Sequence, residues 1–209
     1  MKNIKDDRTS SELPTLSRRA SRFARRWLAW RVASGQNDMP SRHELRIEEI
    51  SKLLPQITVI DVAGPESMIF RVTGTDLEAA ANERPTGLSP LDLTSPEVRP
   101  IRALRLWSCA SVPCGCYFRF LHVYPSGAEL PFEGLTLPVR AKQDSQPVQL
   151  FTFFWRQDRL RPYDPPHNQL QTQLPDYYAY VDIGMGAPSD QDLPVLRLEE
   201  LLRGEETDD

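Results

Sequence analysis

Apolar residues near the start of the chain recur at steps of three and four positions, as they do along one face of a helix. The members of this stripe are Leu16, Ala20, Phe23, Trp27 and Trp30. It predicts an N-terminal amphipathic helix over residues 15–36, with Gly35 at its end. Residues 1–14 are polar and close with a proline, so we expect them to form a flexible tail.

Further along the chain, the period of the apolar pattern changes from that of a helix to that of strands. β-Branched and aromatic segments bounded by turn residues predict five strands, with a longer helix between the second and the third. The predicted strands span 56–62, 68–73, 116–124, 130–140 and 148–156, and the helix spans 97–111. Short turns join the last three strands, which therefore have to be antiparallel neighbours. The order of elements is typical of an α+β domain.

Residues 157–194 lose this pattern, because six prolines interrupt a polar and tyrosine-rich sequence. A last helix is predicted to begin near Pro194 and to end before Gly204. We therefore expect residues 157–209 to form a proline-rich segment followed by an acidic C-terminal helix and tail.

Several short motifs resemble a known family. They are Trp27 and Trp30 in the first helix, Pro40-Ser41-Arg42, Leu53-Leu54-Pro55 before Ile57–Val62, Phe70-Arg71-Val72-Thr73-Gly74-Thr75, and Thr86-Gly87. Together with the order of elements, they resemble PAS domains, in particular the short stand-alone PAS-like proteins of alphaproteobacteria. The resemblance implies a five-stranded antiparallel sheet over residues 37–156, with short helices on one face and the amphipathic helix preceding it.

The resemblance also implies a function in signal transduction, as a sensory or protein-interaction module. No kinase, cyclase or helix-turn-helix sequence accompanies the domain, so regulation of a partner in trans is expected. A small-molecule ligand would lie between the sheet and the short helices. The candidate pocket residues are Leu77, Trp107, Phe118, Phe120 and His122. The alternative is a pocket already filled by these side chains.

Both faces of the last predicted strand are apolar, which in an antiparallel sheet requires a cover on each face. Phe151, Phe153 and Trp155 alternate with Leu150 and Phe154. The short helices would cover one face, and either the N-terminal helix or a partner chain would cover the other. Phe23, Trp27 and Trp30 are accordingly candidate interface residues for a homodimer or a signalling partner, or else they pack within the chain.

Composition and charge bear on which partner the first helix could contact. The chain has 209 residues, which suits one domain with extensions, and a net charge of −4. Residues 1–35 hold nine basic against three acidic residues, whereas residues 182–209 hold nine acidic against two basic residues. The arginine-rich face of the first helix could meet this acidic end, a membrane surface or nucleic acid. An isoelectric point of about 5.5 argues against nucleic acid. A membrane surface is less favoured because Phe23, Trp27 and Trp30 are expected to be buried.

No cofactor or catalytic site is predicted. Cys109, Cys114, Cys116 and His122 fit no common zinc spacing, so we expect small buried residues there, with a redox role for a cysteine pair as the alternative. In PAS domains, haem needs a histidine on the long helix and a flavin photosensor needs an Asn-Cys-Arg motif; the chain has neither. Catalytic motifs are absent too, so an enzyme on a similar curved sheet is only an alternative. A cytoplasmic location is expected, because neither a signal peptide nor a disulfide framework is recognisable.

Overall fold

The structure is a computed structural model that describes residues 14–35, 39–81, 84–123, 129–142, 147–156, 175–189 and 192–204. Its helices are α1 (Arg18–Ala33), a 3₁₀ helix (Ile47–Gln56), α2 (Thr75–Ala81), α3 (Arg99–Ser111) and α4 (Leu198–Arg203). Its strands are β1 (Ile57–Gly64), β2 (Ser67–Thr73), β3 (Gly115–Val123), β4 (Glu129–Val139), β5 (Val148–Arg156), β6 (Tyr177–Asp182) and β7 (Val195–Arg197).

The strands form one seven-stranded mixed sheet in the order β2-β1-β5-β4-β3-β6-β7. Neighbours are antiparallel except for β6 and β7, which are parallel. The expected five-stranded, purely antiparallel PAS-like sheet is therefore wrong. The five expected strands are present, but β6 pairs with the outer edge of β3, and β7 then extends the sheet beyond β6.

The first additional strand, β6, lies in the segment in which no pattern was expected, and the second, β7, lies where the last helix was expected to begin. Tyr177–Asp182 is a nearly continuous apolar run between prolines, and its four central residues are buried. The expected boundary after residue 156 thus falls inside a single sheet. The last helix begins at Leu198 rather than near Pro194, because Val195–Arg197 first forms β7. The carbonyl of Pro194 accepts a hydrogen bond of 3.0 Å from the amide of Tyr180, which fixes the start of this edge strand.

Helix α1 covers one face of the sheet. Its N-terminus is capped by Ser17, whose side chain accepts a hydrogen bond from the amide of Ala20. The apolar stripe of α1 is buried against residues of the central strands, together with apolar residues of α4; the strand residues include Ile57, Tyr117, Leu135, Leu137, Phe151 and Phe153. Deep in this contact, the indole Nε1 of Trp27 donates a hydrogen bond of 2.8 Å to the carbonyl of Pro138.

Helix α3 and the preceding loop cover the opposite face. The buried residues of this second cluster are Ile60, Val62, Met68, Phe70, Leu91, Cys109, Ala110, Cys114, Cys116, Leu150, Tyr178 and Tyr180. Each side of the sheet is therefore covered by elements of the same chain, and a partner is not needed to bury either one. Among the described residues, no helix is long and apolar enough to cross a membrane.

Candidate functional site

The outward face of α1 carries a dense group of basic side chains. Arg18, Arg19, Arg22, Arg25 and Arg26 are exposed and, with Lys52 of the 3₁₀ helix, border a concave surface of about 600 Å³. We refer to these six residues as the arginine surface. The apolar stripe on the other side of α1 is buried, so the helix is fixed in place while its charged side faces solvent.

Several contacts hold individual members of the arginine surface in position. Arg19 donates a hydrogen bond of 2.9 Å to the carbonyl of Lys52. Arg25 donates one of 3.4 Å to the carbonyl of Leu202, at the end of α4. The carboxylate of Glu49 lies 3.7 Å from Arg26, and it also accepts a hydrogen bond of 3.0 Å from the indole of Trp30. The surface is thus tied to both neighbouring helices.

Two members of the surface have no counter-charge in the part of the chain that the structure describes. Within the described part of the chain, neither Arg18 nor Arg22 forms an ion pair or a side-chain hydrogen bond. Guanidinium groups bind carboxylates and phosphates in a planar, two-bonded geometry. Several of them on one fixed helix face can therefore bind a ligand that carries several negative charges.

One acidic residue near the C-terminal end forms an ion pair within its own helix. Glu199 lies 3.9 Å from Arg203 within α4, and both side chains are largely exposed, so this pair contributes little to stability. Residues 205 and 206 belong to the acidic end that the arginine-rich face could meet, and they lie outside the described residues.

The expected interface residues of α1 are located in the interior of the chain itself. The exposed fractions of Phe23, Trp27 and Trp30 are 0%, 0% and 3%, and all three belong to the core beneath the sheet. In this arrangement they offer no surface to a second chain or to a membrane.

The expected pocket residues are only partly brought together. Trp107 and Phe118 are half-buried against the second cluster, and the ring of Phe120 stacks on that of Phe118 at 6.2 Å. Leu77 lies instead on α2, the helix that packs against the 3₁₀ helix. The backbone of His122 pairs with Leu130 in the sheet, but its side chain is outside the described residues.

Sequence reasoning missed two charged side chains on α3. The guanidinium of Arg105 lies over the ring of Tyr178, 4.2 Å from its centre. One turn earlier, Arg102 donates a hydrogen bond of 2.7 Å to the hydroxyl of Thr94, and burial lowers its pKa to about 10. The sequence contained an indication that these two arginines are not fully solvated, because positions 102 and 105 fall near the apolar side of the predicted helix.

The three cysteines are buried free thiols in the second cluster. Neighbouring thiols and burial raise the pKa of Cys109 and of Cys116 well above the ordinary value, and the Sγ of Cys109 lies 3.8 Å from the hydroxyl of Tyr178. The raised pKa keeps Cys109 and Cys116 protonated, whereas a metal ligand or nucleophile must be a thiolate. No group of three potential ligands that could hold a metal exists among the described residues.

A buried carboxylate lies on the other face of the sheet. Glu133 is 3% exposed, and in the strand register it lies opposite Arg119 of β3. Burial, and then the nearby Glu133, raise the pKa of Tyr117 well above its ordinary value. Tyr117 therefore stays a neutral hydrogen-bonding group at physiological pH.

Comparison with known proteins gives no family assignment: no protein-family model matches the chain, and no curated protein is significantly similar to it.

Proposed function

We propose that this protein is a sensory and protein-interaction module without enzymatic activity, which regulates a partner in trans by binding an acidic segment of that partner. The arginine surface is the observation that carries this proposal. Five arginines and a lysine border one concavity on a helix whose other side is buried in the core. Such a surface attracts an acidic partner over several ångströms and binds its carboxylates at contact.

An acidic protein segment fits this surface better than nucleic acid does. The chain as a whole has a net charge of −4, so a long polyanion that extends beyond α1 would meet an unfavourable potential. A short acidic segment can occupy the concavity alone.

The same surface is poorly suited to a membrane. Helices that lie on a bilayer insert an apolar face beneath the headgroups. The apolar face of α1 is buried in the chain, since Phe23 and Trp27 are 0% exposed. Attraction between the arginines and anionic headgroups would remain, but without an apolar anchor.

A charge-reversal experiment tests the proposal. The affinity for a fluorescein-labelled peptide with ten consecutive glutamates is measured by fluorescence anisotropy at low salt. R18E/R22E is compared with R84E/R99E, which makes the same change in charge at exposed arginines away from α1. We expect R18E/R22E to weaken binding about tenfold or more, and the control to change it less than about threefold.

Three results would contradict the proposal. One is absence of wild-type binding, and another is an equal loss in both variants. The third is tighter binding to a DNA duplex or to anionic vesicles than to the peptide. Circular dichroism of each variant checks that α1 is still formed.

A further inference from the structure

A partly buried guanidinium lies between α3 and the sheet, on the face opposite the arginine surface, and two of its three nitrogens are buried without a hydrogen-bond partner among the described residues. The Nε and Nη1 atoms of Arg105 are shielded from solvent, and neither has a hydrogen-bond acceptor within the described structure. The ring of Tyr178 lies 4.2 Å from the guanidinium carbon. Arg102, on the same helix, instead has the hydroxyl of Thr94 as its acceptor.

Burial of a charge without a counter-ion is costly, and buried donors without acceptors add to this cost. A cation–π contact with a tyrosine ring compensates only a part of it. Arg105 is therefore held where an incoming anion would gain more than it would at an exposed arginine. Unpaired buried donors of this kind often mark places where a ligand completes the hydrogen bonding.

Aromatic rings continue from this guanidinium across the sheet. The ring of Tyr178 is stacked with that of Phe118 at 6.5 Å and an angle of 11°, and Phe154 meets Phe118 edge-on at 5.7 Å. Phe118 lies flat because Gly134 is beneath it: a Cβ at position 134 would be 2.3 Å from its Cζ. Phe118 and Phe154 are only half-buried. The guanidinium of Arg105, a charged hydrogen-bond donor, is thus followed along the sheet by partly exposed aromatic rings.

We propose that Arg105, Tyr178 and Phe118 form a binding site for a small molecule that carries a carboxylate on a flat, apolar body, such as an aromatic carboxylic acid. The carboxylate accepts hydrogen bonds from the guanidinium of Arg105, and the body of the ligand packs against the rings of Tyr178 and Phe118. This site lies on the other face of the sheet from the arginine surface and does not depend on the acidic partner.

Isothermal titration calorimetry with defined probes tests the site. The probes are benzoate, phenylacetate and indole-3-acetate, each with its neutral amide as the matched control. We expect at least one carboxylate to bind with a Kd below about 1 mM, and its amide to bind about tenfold more weakly or worse. R105Q should lose binding about tenfold or more, whereas R99Q, at an exposed arginine of the same helix, should retain it.

A stability measurement separates ligand binding from a structural role of Arg105. Without ligand, R105M removes two buried donors that have no acceptor among the described residues and keeps most of the side-chain volume, so its melting temperature should equal or exceed that of the wild type. The inference is overturned if all three carboxylates fail to bind at about 5 mM, if an amide binds as well as its acid, or if R105Q still binds. A large fall in the melting temperature of R105M would likewise overturn it.

Discussion

At the scale of single residues, Gly74 illustrates what a sequence can and cannot specify. Its position between a strand and a helix predicts either an unusual backbone angle or a close approach. The structure selects the close approach: a Cβ at position 74 would lie 2.3 Å from the carbonyl oxygen of Pro55 and 2.5 Å from that of Leu54. Gly74 is not among the glycines with positive φ. The nearby carbonyls belong to the 3₁₀ helix, and sequence distance alone does not show that contact.

Replacement of Gly74 by alanine should therefore be costly. Because the obstacles are backbone atoms, the chain has to shift, and we expect the free energy of unfolding of G74A to fall by about 2–3 kcal/mol. G64A in β1 is the matched control, since its Cβ would meet only Ser67, at 3.8 Å. Urea denaturation of both variants checks this prediction, and equal stabilities would contradict it.

At the scale of elements, apolar periodicity predicted α1 and five strands because each of these elements buries one or both faces. The stripe of α1 could not show which surface it packs against, since a second chain would bury Trp27 equally well. β6 was missed because its residues, Tyr177–Asp182, follow a polar and proline-rich stretch. The nearly continuous apolar run of this segment is the feature of the sequence that could have predicted the strand. Arg105 was missed for a different reason, since α3 was predicted from its apolar residues and no role was considered for a charged residue near its apolar side.

The attachment of α1 to the sheet depends on a buried hydrogen bond. W27F removes the indole donor, leaves the carbonyl of Pro138 without its partner and opens a cavity. We expect a loss of about 2–4 kcal/mol in the free energy of unfolding. W107F, at the half-buried tryptophan of α3, should cost less. A similar loss in both variants, measured by urea denaturation, would argue against this packing of α1.

At the scale of the whole molecule, one sheet separates two surfaces of different chemistry. The arginine surface lies on the side covered by α1, and the site at Arg105 lies on the side covered by α3. The charge division along the sequence indicated the first surface. The site at Arg105 could not be predicted without knowing which strands lie beneath α3, and one of these strands is β6. A homodimer stays a prediction, and α1 does not supply its apolar interface in this structure.

Buried tyrosines on both sides of the sheet predict an upper pH limit for the fold. Burial is the main cause that raises the pKa of Tyr117 and of Tyr178 above the ordinary value of 10.0. The folded state therefore holds these protons more tightly than the unfolded state does. Their contribution to stability is complete below pH 10 and decreases as the pH rises further.

The pH limit can be measured by tyrosinate absorbance and circular dichroism in the same alkaline titration. We expect some of the tyrosines to ionise only together with the loss of secondary structure. If every tyrosine ionises near pH 10 while the fold is retained, the predicted burial of Tyr117 and Tyr178 is wrong.

The central claim is that the arginine surface binds an acidic segment, and amide chemical-shift mapping tests it most directly. The ten-glutamate peptide is titrated into the isotope-labelled protein, and shifts are followed along the assigned backbone. We predict the largest changes over Arg18–Arg26 of α1 and around Lys52, with small changes in the N-terminal turn of α3 at Arg99. Changes concentrated away from α1, or absent at saturating peptide, would contradict the claim.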